Sequence, residues 1–526
     1  MEVGQLDQVD QPAAVRSRLE ELGGLELRFT EERVGPLVLE TDQLAQDHPR
    51  RCGGESAEQL SAAGVPVFAA DIKGDLSGLA TPGVPSDKLT ERTASVGQTW
   101  AATGFPVEYY ALGGQGTGIP LRVTMSAFGP ILLSKVLGLN DTQESSLGLV
   151  FHYADRAGLP LLDLADLREV VKYLTSDEGK ADLKDLGGLS SATAGVILRE
   201  LITFSDQGAD AFFGEPEFES SDLLQTTADG QGLISLVELP NLQDRPAVFS
   251  TFLMWLLADL FHDLPEVGDV DKPKLVFFFD EAHLLFNDAP KALLDRIEQV
   301  VRLIRSKGVG VYFVTQNPLD VPNKVLAQLG NRVQHALRAF TARDQKAVRA
   351  AAETFRANPG LDTVKVITEL ERGEALVSFL EGNGVPSPVD RALIRPPSAR
   401  IGPITAEERK SVIAKSPIRG KYDQAIDPES VYEVLHKRVN ERIAEETAPP
   451  PPSAPRRPPE QPSSGGGVLG DVLGGVLGGG TGRRSGRMST TEVVVKQVAR
   501  SVASQVGTQI GRALIRGLLG SLGGRR

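Results

Sequence analysis

The chain has 526 residues, of which 41% are hydrophobic and 24% charged, and its net charge is −13. This composition is typical of a globular protein with two or three domains, and it excludes a disordered chain, a collagen-like fibre and a disulfide scaffold. The single cysteine, Cys52, can form neither an internal bridge nor a four-cysteine zinc site. No apolar run approaches the ~18 residues of a membrane span, and residues 1–46 lack the pattern of a signal peptide. We therefore expect a cytoplasmic protein.

Apolar segments alternate with longer amphipathic patterns before the last eighty or so residues of the chain. The predicted strands cover residues 65–70, 107–111, 233–239, 275–279, 309–315 and 375–379, and the predicted helices cover residues 252–261, 291–307 and 344–355. Because these strands are continuously apolar, they predict a mainly parallel sheet covered on both faces, in an α/β domain. Ligands of such sheets bind beyond the carboxyl ends of the strands.

Two loops follow predicted strands. Residues 71–75 read Asp-Ile-Lys-Gly-Asp, and this pattern is compatible with a structural turn and equally with a role near a nucleotide or DNA. Residues 113–118 are glycine-rich but lack a lysine, so they predict a hairpin or a surface loop.

The strand at 275–279 ends in two adjacent acids, Asp280 and Glu281. Adjacent carboxylates at the end of a buried strand are costly unless a cation or a reacting water uses them. This is the Walker B arrangement, in which Asp280 holds Mg²⁺ through its water shell and Glu281 orients or deprotonates the attacking water. The alternative is a strand that ends in a solvated acidic turn.

The next strand, 309–315, ends in Gln316, where an amide could sense a γ-phosphate or the attacking water. The alternative is a turn formed by the sequence Gln-Asn-Pro. Arg302, Arg305 and Arg332 are candidate arginine fingers that would reach a phosphate across a subunit boundary. Each could instead be a solvated arginine, or one that compensates a helix dipole.

The composition changes near residue 446. Residues 446–488 predict a disordered linker rich in proline and glycine, and residues 489–526 predict a basic amphipathic helix that begins with a capping box. Residues 483–526 carry nine basic residues and one acidic residue, so the rest of the chain carries a net −21. We expect this helix to pack on its own domain or on another subunit; the alternative is that it associates with a membrane surface. Because the rest of the chain is acidic, we expect DNA or anionic lipid to bind only in a basic pore or at this tail.

The segments 67–78, 264–286, 316–322 and 420–423 together resemble the bacterial HerA-like helicase family, a branch of the FtsK–HerA class of P-loop ATPases. The resemblance covers roughly residues 57–435 and resumes in the tail helix. It implies a RecA-like P-loop NTPase core at 57–395 with a helical insertion at about 125–230 and a helical extension at 396–445. It also implies ATP and Mg²⁺ as cofactors, and a ring, often a hexamer, that moves DNA or protein.

The family's phosphate-binding loop, Gly-x-x-x-x-Gly-Lys-Ser/Thr, is absent from the sequence. Counting back from the resemblance places it near residues 46–51, within an atypical segment 1–56. Without its glycines, lysine and hydroxyl residue, the loop cannot cradle phosphates or complete the ligands of Mg²⁺. Either residues 1–56 are not the family's native N-terminus, which the abrupt onset of the resemblance favours, or the domain persists as a non-catalytic ring-forming scaffold. In both cases we expect weak ATP binding or none.

Overall fold

The computed structural model describes residues 37–40, 49–112, 116–183, 186–239, 246–268, 270–286, 291–316, 318–381, 384–426 and 431–447. The chain divides into two compact units, residues 1–431 with 512–526, and residues 432–511, and each is described by itself. The predicted tail helix, and all but the first two residues of the predicted linker, lie outside the described residues.

The first unit is built on one ten-stranded sheet with the order β10-β9-β8-β1-β7-β6-β2-β5-β3-β4. Its strands are β1 (Leu37–Glu40), β2 (Val67–Asp71), β3 (Val107–Leu112), β4 (Ile119–Leu121), β5 (Ile234–Glu238), β6 (Leu275–Phe279), β7 (Val309–Thr315), β8 (Asn331–Gln334), β9 (Glu374–Ser378) and β10 (Asp390–Leu393). All neighbouring strands from β8 to β4 pair in parallel, whereas β9 pairs antiparallel with β8 and β10 pairs antiparallel with β9. The predicted α/β class with a mainly parallel sheet is confirmed.

Helices connect the strands of the first unit, and the last described helix belongs to the second unit from Tyr432 onward. They are α1 (Pro49–Ala62), α2 (Asp87–Ser95), α3 (Met125–Val136), α4 (Asp141–Arg156), α5 (Leu164–Thr175), α6 (Asp177–Asp182), α7 (Ser191–Asp206), α8 (Pro246–Asp263), α9 (His283–Phe286), α10 (Lys291–Leu303), α11 (Asn323–Leu326), α12 (Ala342–Glu353), α13 (Thr363–Glu369), α14 (Ala406–Ile413) and α15 (Val431–Thr447). Short 3-10 helices span Leu76–Ala80, Ala209–Phe212, Ser220–Leu224, Ile304–Lys307 and Pro318–Asp320. Within the ranges given above, no helix is long and apolar enough to cross a bilayer.

The central strands are buried on both faces. Every residue of β2, β5, β6 and β7 is buried, which explains why their sequences are apolar without alternation. The helix α8 is likewise buried from Phe252 to Leu260 and includes the fully buried Trp255. Each large apolar side chain moved out of water in this way stabilises the fold by about 1.5–3 kcal/mol. The sheet is therefore a rigid platform whose carboxyl edge can hold reacting groups in place.

Two details differ from the expectations. The strand β4 pairs in parallel with β3, so these two strands do not form the predicted hairpin, and the exposed Gly116 is compatible with the predicted surface loop. The predicted helix at 291–307 is α10 followed by a 3-10 turn, and it ends at Gly308, whose φ of 75° is the left-handed conformation that suits glycine.

Candidate active site

The predicted acids and the predicted amide meet at the carboxyl edge of the sheet. Because β6 and β7 are parallel neighbours, Asp280 and Glu281 after β6 lie beside Gln316 after β7. The Gln316 Nε2 atom donates hydrogen bonds to both carboxylate oxygens of Glu281, at 2.6 Å to Oε1 and 2.8 Å to Oε2. The two side chains that the sequence singled out on neighbouring strands are thus in direct contact.

Glu281 has an unusual backbone conformation. Its φ is +51°, and it is the one non-glycine residue with a positive φ among those the structure describes. Such a conformation costs about 1–3 kcal/mol and clusters at functional sites. The turn is held by hydrogen bonds from the Ala282 N–H to the Val314 carbonyl at 2.8 Å and from the Leu284 N–H to the Glu281 carbonyl at 2.8 Å. The side chain is nevertheless only 5% exposed, so the strain aims a nearly buried carboxylate at the edge of the sheet.

Two further side chains contact this carboxylate. The Lys73 Nζ atom donates to Glu281 Oε1, and the His283 Nδ1 atom lies 3.3 Å from Oε2. Burial alone would raise the pKa of Glu281, but hydrogen bonds from His283, Lys73 and Gln316, with the charge of Lys73, lower it to about 2. The hydrogen bond to Glu281 in turn raises the pKa of His283. Glu281 is therefore an anion at neutral pH.

Asp280 and Asp71 create an excess of negative charge beside Glu281. Burial raises the pKa of Asp280 to about 7, and the carboxylates of Asp71 and Glu281 act in the same direction. Burial also raises the pKa of Asp71 to about 6, although this side chain accepts hydrogen bonds from three backbone N–H groups of the following turn. A cation would relieve the repulsion between these carboxylates. Among the described residues, no group of three or more acidic, histidine or cysteine side chains could hold a metal ion, so the binding of Mg²⁺ by Asp280 stays a prediction.

The connection between β1 and α1 lacks the residue types that bind the phosphate groups of a nucleotide. The strand β1 lies between β7 and β8, and α1 begins at Pro49, so residues 41–48 connect the two elements. These residues read Thr-Asp-Gln-Leu-Ala-Gln-Asp-His, without a glycine or a lysine. The predicted position of the phosphate-binding loop, near residues 46–51, overlaps this connection and the first turn of α1, and the absence of the loop stays a prediction from the sequence.

The three candidate arginine fingers lie on other elements. Arg302 is exposed on α10, Arg305 lies in the 3-10 turn that follows, and Arg332 on β8 donates to the Leu326 carbonyl at 3.3 Å. A finger acts from a neighbouring subunit, so their role stays a prediction.

The sequence predicted no role for His283, and it gave residues 71–75, which include Lys73, as a structural turn or as a segment near a nucleotide or DNA. The signal for Lys73 was its position directly after β2, which is the parallel neighbour of β6. The signal for His283 was its place two residues after Glu281.

A parallel sheet whose neighbouring strands end in an acid pair and a glutamine is typical of P-loop ATPases of the helicase and translocase type. The family described as Helicase HerA-like C-terminal matches residues 54–526, and the chain belongs to this family.

Individual relatives are more distant. A probable helicase of Methanocaldococcus jannaschii, MJECL08, is 31% identical over 165 residues, which are 30% of this chain and 29% of that protein. The chain thus matches less than a third of the length of that relative. The bacterial conjugative coupling protein TrwB without its first 70 residues is 14% identical, with a TM-score of 0.46 over 72% of this chain and 91% of TrwB. VirB4 of Thermoanaerobacter pseudethanolicus is 15% identical, with a TM-score of 0.41 over 71% of this chain and 91% of VirB4.

Proposed function

We propose that this chain is a HerA-type motor protein built to couple ATP hydrolysis to the movement of nucleic acid or protein, and that its turnover is impaired. The observation that carries the proposal is the contact of Glu281 with Gln316 and Lys73 at the carboxyl edge. ATP, when bound, would supply the phosphoanhydride bond. Asp280 would hold Mg²⁺ and Glu281 would act on the attacking water.

The charge state of Glu281 favours orientation of water over abstraction of its proton. A carboxylate with a pKa of about 2 is a weak base at neutral pH, but it is a strong hydrogen-bond acceptor. Gln316 fixes the plane of the carboxylate through its two hydrogen bonds. Glu281 would therefore hold and orient a water by accepting its hydrogen bond. An arginine of a neighbouring subunit, from Arg302, Arg305 or Arg332, would neutralise the developing charge.

The connection at 41–48 is the reason to expect impaired turnover. Its lack of glycine and lysine removes the amide cradle and the cation that hold the β- and γ-phosphates. The same observation supports a second candidate, a non-catalytic scaffold that forms a ring and binds a partner through the core and the tail helix.

Steady-state ATP hydrolysis by the natural chain and by its Glu281→Gln variant separates the two candidates. If the chain is an ATPase, the variant loses turnover while a Glu91→Gln variant, altered at an exposed glutamate of α2, keeps it. Equal background rates in all three proteins would refute the enzymatic function and leave the scaffold.

The partners are proposed on separate grounds. We propose a homo-oligomeric ring, because an arginine finger needs a second subunit, and light scattering of the purified chain measures its mass. DNA and a membrane surface are candidate partners of the basic segment 483–526. Deletion of this segment would then abolish binding to DNA or to anionic liposomes, and unchanged binding would contradict both. A cytoplasmic location remains a prediction.

A further inference from the structure

A segment near the end of the first unit binds the helix that follows the 41–48 connection. We call residues 396–409 the C-terminal strap. The carboxylate of Glu58 on α1 accepts hydrogen bonds from the strap at the Ser398 N–H, 2.7 Å, and the Ala399 N–H, 3.1 Å. Glu58 is completely buried at this junction. One face of the strap is therefore fixed to α1.

The same strap also contacts residues 72–80, which follow β2 and which we call the Lys73 turn. The Ile404 N–H donates to the Ser77 hydroxyl at 3.2 Å. A Cβ atom placed on Gly78 would overlap the carbonyl oxygens of Arg400 and Gly402. The strap and the turn are thus in backbone contact, and only a glycine permits this approach.

A buried ion pair fastens the end of the strap to the sheet. The Arg409 guanidinium donates to Glu238 at 2.6 Å and lies 4.4 Å from the centre of the Tyr109 ring. The Tyr109 hydroxyl donates to the Ser77 carbonyl at 2.7 Å. Because both partners of the ion pair are almost buried, its loss would leave an unpaired charge in the interior. The far end of the Lys73 turn is therefore held from two sides.

The near end of the Lys73 turn reaches the candidate active site. The Asp71 carboxylate accepts the N–H groups of Lys73 at 3.2 Å, Gly74 at 2.8 Å and Leu76 at 2.7 Å, which makes the turn a compact unit. The Lys73 ammonium group donates to Glu281. A shift of the turn against the strap therefore moves a group that touches Glu281.

The two acceptor positions on Glu281 Oε1 are both occupied in this arrangement. A carboxylate offers about four acceptor positions, two on each oxygen. Gln316 uses one on each oxygen and Lys73 uses the second on Oε1, while the His283 ring lies 3.3 Å from Oε2. Oε1 can therefore accept a water molecule only after one of its donors withdraws. Among these donors, Lys73 is the one carried by a turn in contact with the strap.

We propose that the C-terminal strap sets the position of Lys73 and thereby holds Glu281 in a resting arrangement, from which displacement of the strap releases it. Lys73 is then a positioning residue that acts through Glu281. This inference rests on the water-orienting role of Glu281 proposed above. It assigns a controlling role to a segment remote in sequence from the acids.

The coupling can be measured in the natural chain without any ATPase activity, through the rate at which an amine-acetylating reagent modifies Lys73, read by mass spectrometry. We expect Glu281→Gln and Gly78→Ala to speed the reaction roughly fivefold, the ratio that a moderate salt bridge sustains. The exposed Lys88 serves as the internal standard. Gly148→Ala on α4 is the matched control, because its Cβ would meet nothing within 4 Å, and we expect it to change nothing.

The outcome that overturns the proposal is an unchanged Lys73 rate in a folded Gly78→Ala protein. If that protein does not fold, Ser77→Ala replaces it, since this change removes the acceptor of the Ile404 N–H together with the hydroxyl's own hydrogen bond to the Gly74 carbonyl. An unchanged rate in that variant has the same meaning.

Turnover provides a second readout that a purely structural lysine would not move. We expect Lys73→Met to raise the basal kcat roughly fivefold with an unchanged KM for ATP, whereas Lys73→Arg preserves the restraint and the low rate. An equal or lower kcat in the Lys73→Met variant would contradict the resting arrangement. If the natural chain and Glu281→Gln hydrolyse ATP equally slowly, the proposed ATPase function fails, and the acetylation result alone decides whether the strap and Glu281 are coupled.

Discussion

The junction of α1 and the strap makes a specific prediction about pH. Burial raises the pKa of Glu58 from 4.5 to about 7, even though two backbone N–H groups bind its carboxylate. Between pH 4.5 and about 7, the Glu58 carboxyl keeps its proton in the folded protein, whereas the same group has lost it in the unfolded chain. The free energy of unfolding therefore falls by roughly 3 kcal/mol in total as the pH rises through this window. The Glu58→Gln substitution removes this dependence.

The assay is urea unfolding of the natural chain and the Glu58→Gln variant at several pH values between 4.5 and 8. A glutamine has one oxygen for two N–H donors, so the variant loses about 1–3 kcal/mol at every pH. This loss is the same at every pH. In addition, we expect the free energy of unfolding of the natural chain to fall by roughly 3 kcal/mol relative to that of the variant as the pH rises. The other buried carboxylates titrate in both proteins and cancel, and Glu91→Gln on the exposed face of α2 is the control. Parallel curves for the natural chain and the variant would refute the reasoning.

Three further predictions follow from buried or missing groups. Tyr422→Phe removes a 2.6 Å hydrogen bond to the carboxylate of Asp222, so we expect a loss of about 2 kcal/mol in thermal or urea unfolding, whereas Tyr432→Phe at a half-exposed ring has little effect. At pH 8 the buried Asp280 carboxyl, whose pKa is about 7, is ionised at a cost in stability, and Asp280→Asn removes this cost. We therefore expect the variant to have a higher melting temperature at pH 8 and no stabilisation by added Mg²⁺. A Mg²⁺-dependent shift of the melting temperature in the variant would exclude the site. Replacement of residues 41–48 by a Gly-x-x-x-x-Gly-Lys-Ser sequence is expected to restore ATP hydrolysis, and continued inactivity would show that more than the loop is missing.

The sheet and the acid pair could be predicted because their signals are local. The strands β6 and β7 have the predicted boundaries, since each is a continuous apolar run that ends in polar residues. Their consecutive positions along the chain also suggested that they are neighbours, which brought Glu281 and Gln316 together. The same reasoning could not place Lys73, because the sequence does not reveal that β2 pairs with β6.

The strap and β1 illustrate a different limit. The strap binds through backbone N–H groups at Ser398 and Ala399, so its contacts depend little on which side chains it carries. The strand β1 has only four residues, Leu37–Glu40, too few for a periodic pattern. The strained φ of Glu281 is likewise imposed by the surrounding packing, and no residue type encodes it.

The central position of β1 has a consequence for folding. Among the strands that the structure describes, β1 is the first to be made, yet it pairs with β7 through Leu37 and Tyr312 and with β8 through Leu37 and Asn331. Until β7 and β8 have been synthesised, β1 has no partner strands in the middle of the sheet. Pairing between strands so far apart in the sequence is slow. The edges of β7 and β8 meanwhile present unpaired backbone groups that another strand could occupy. The middle of this sheet thus stays open until β8 has been made, and it is exposed to a wrong partner strand during that time.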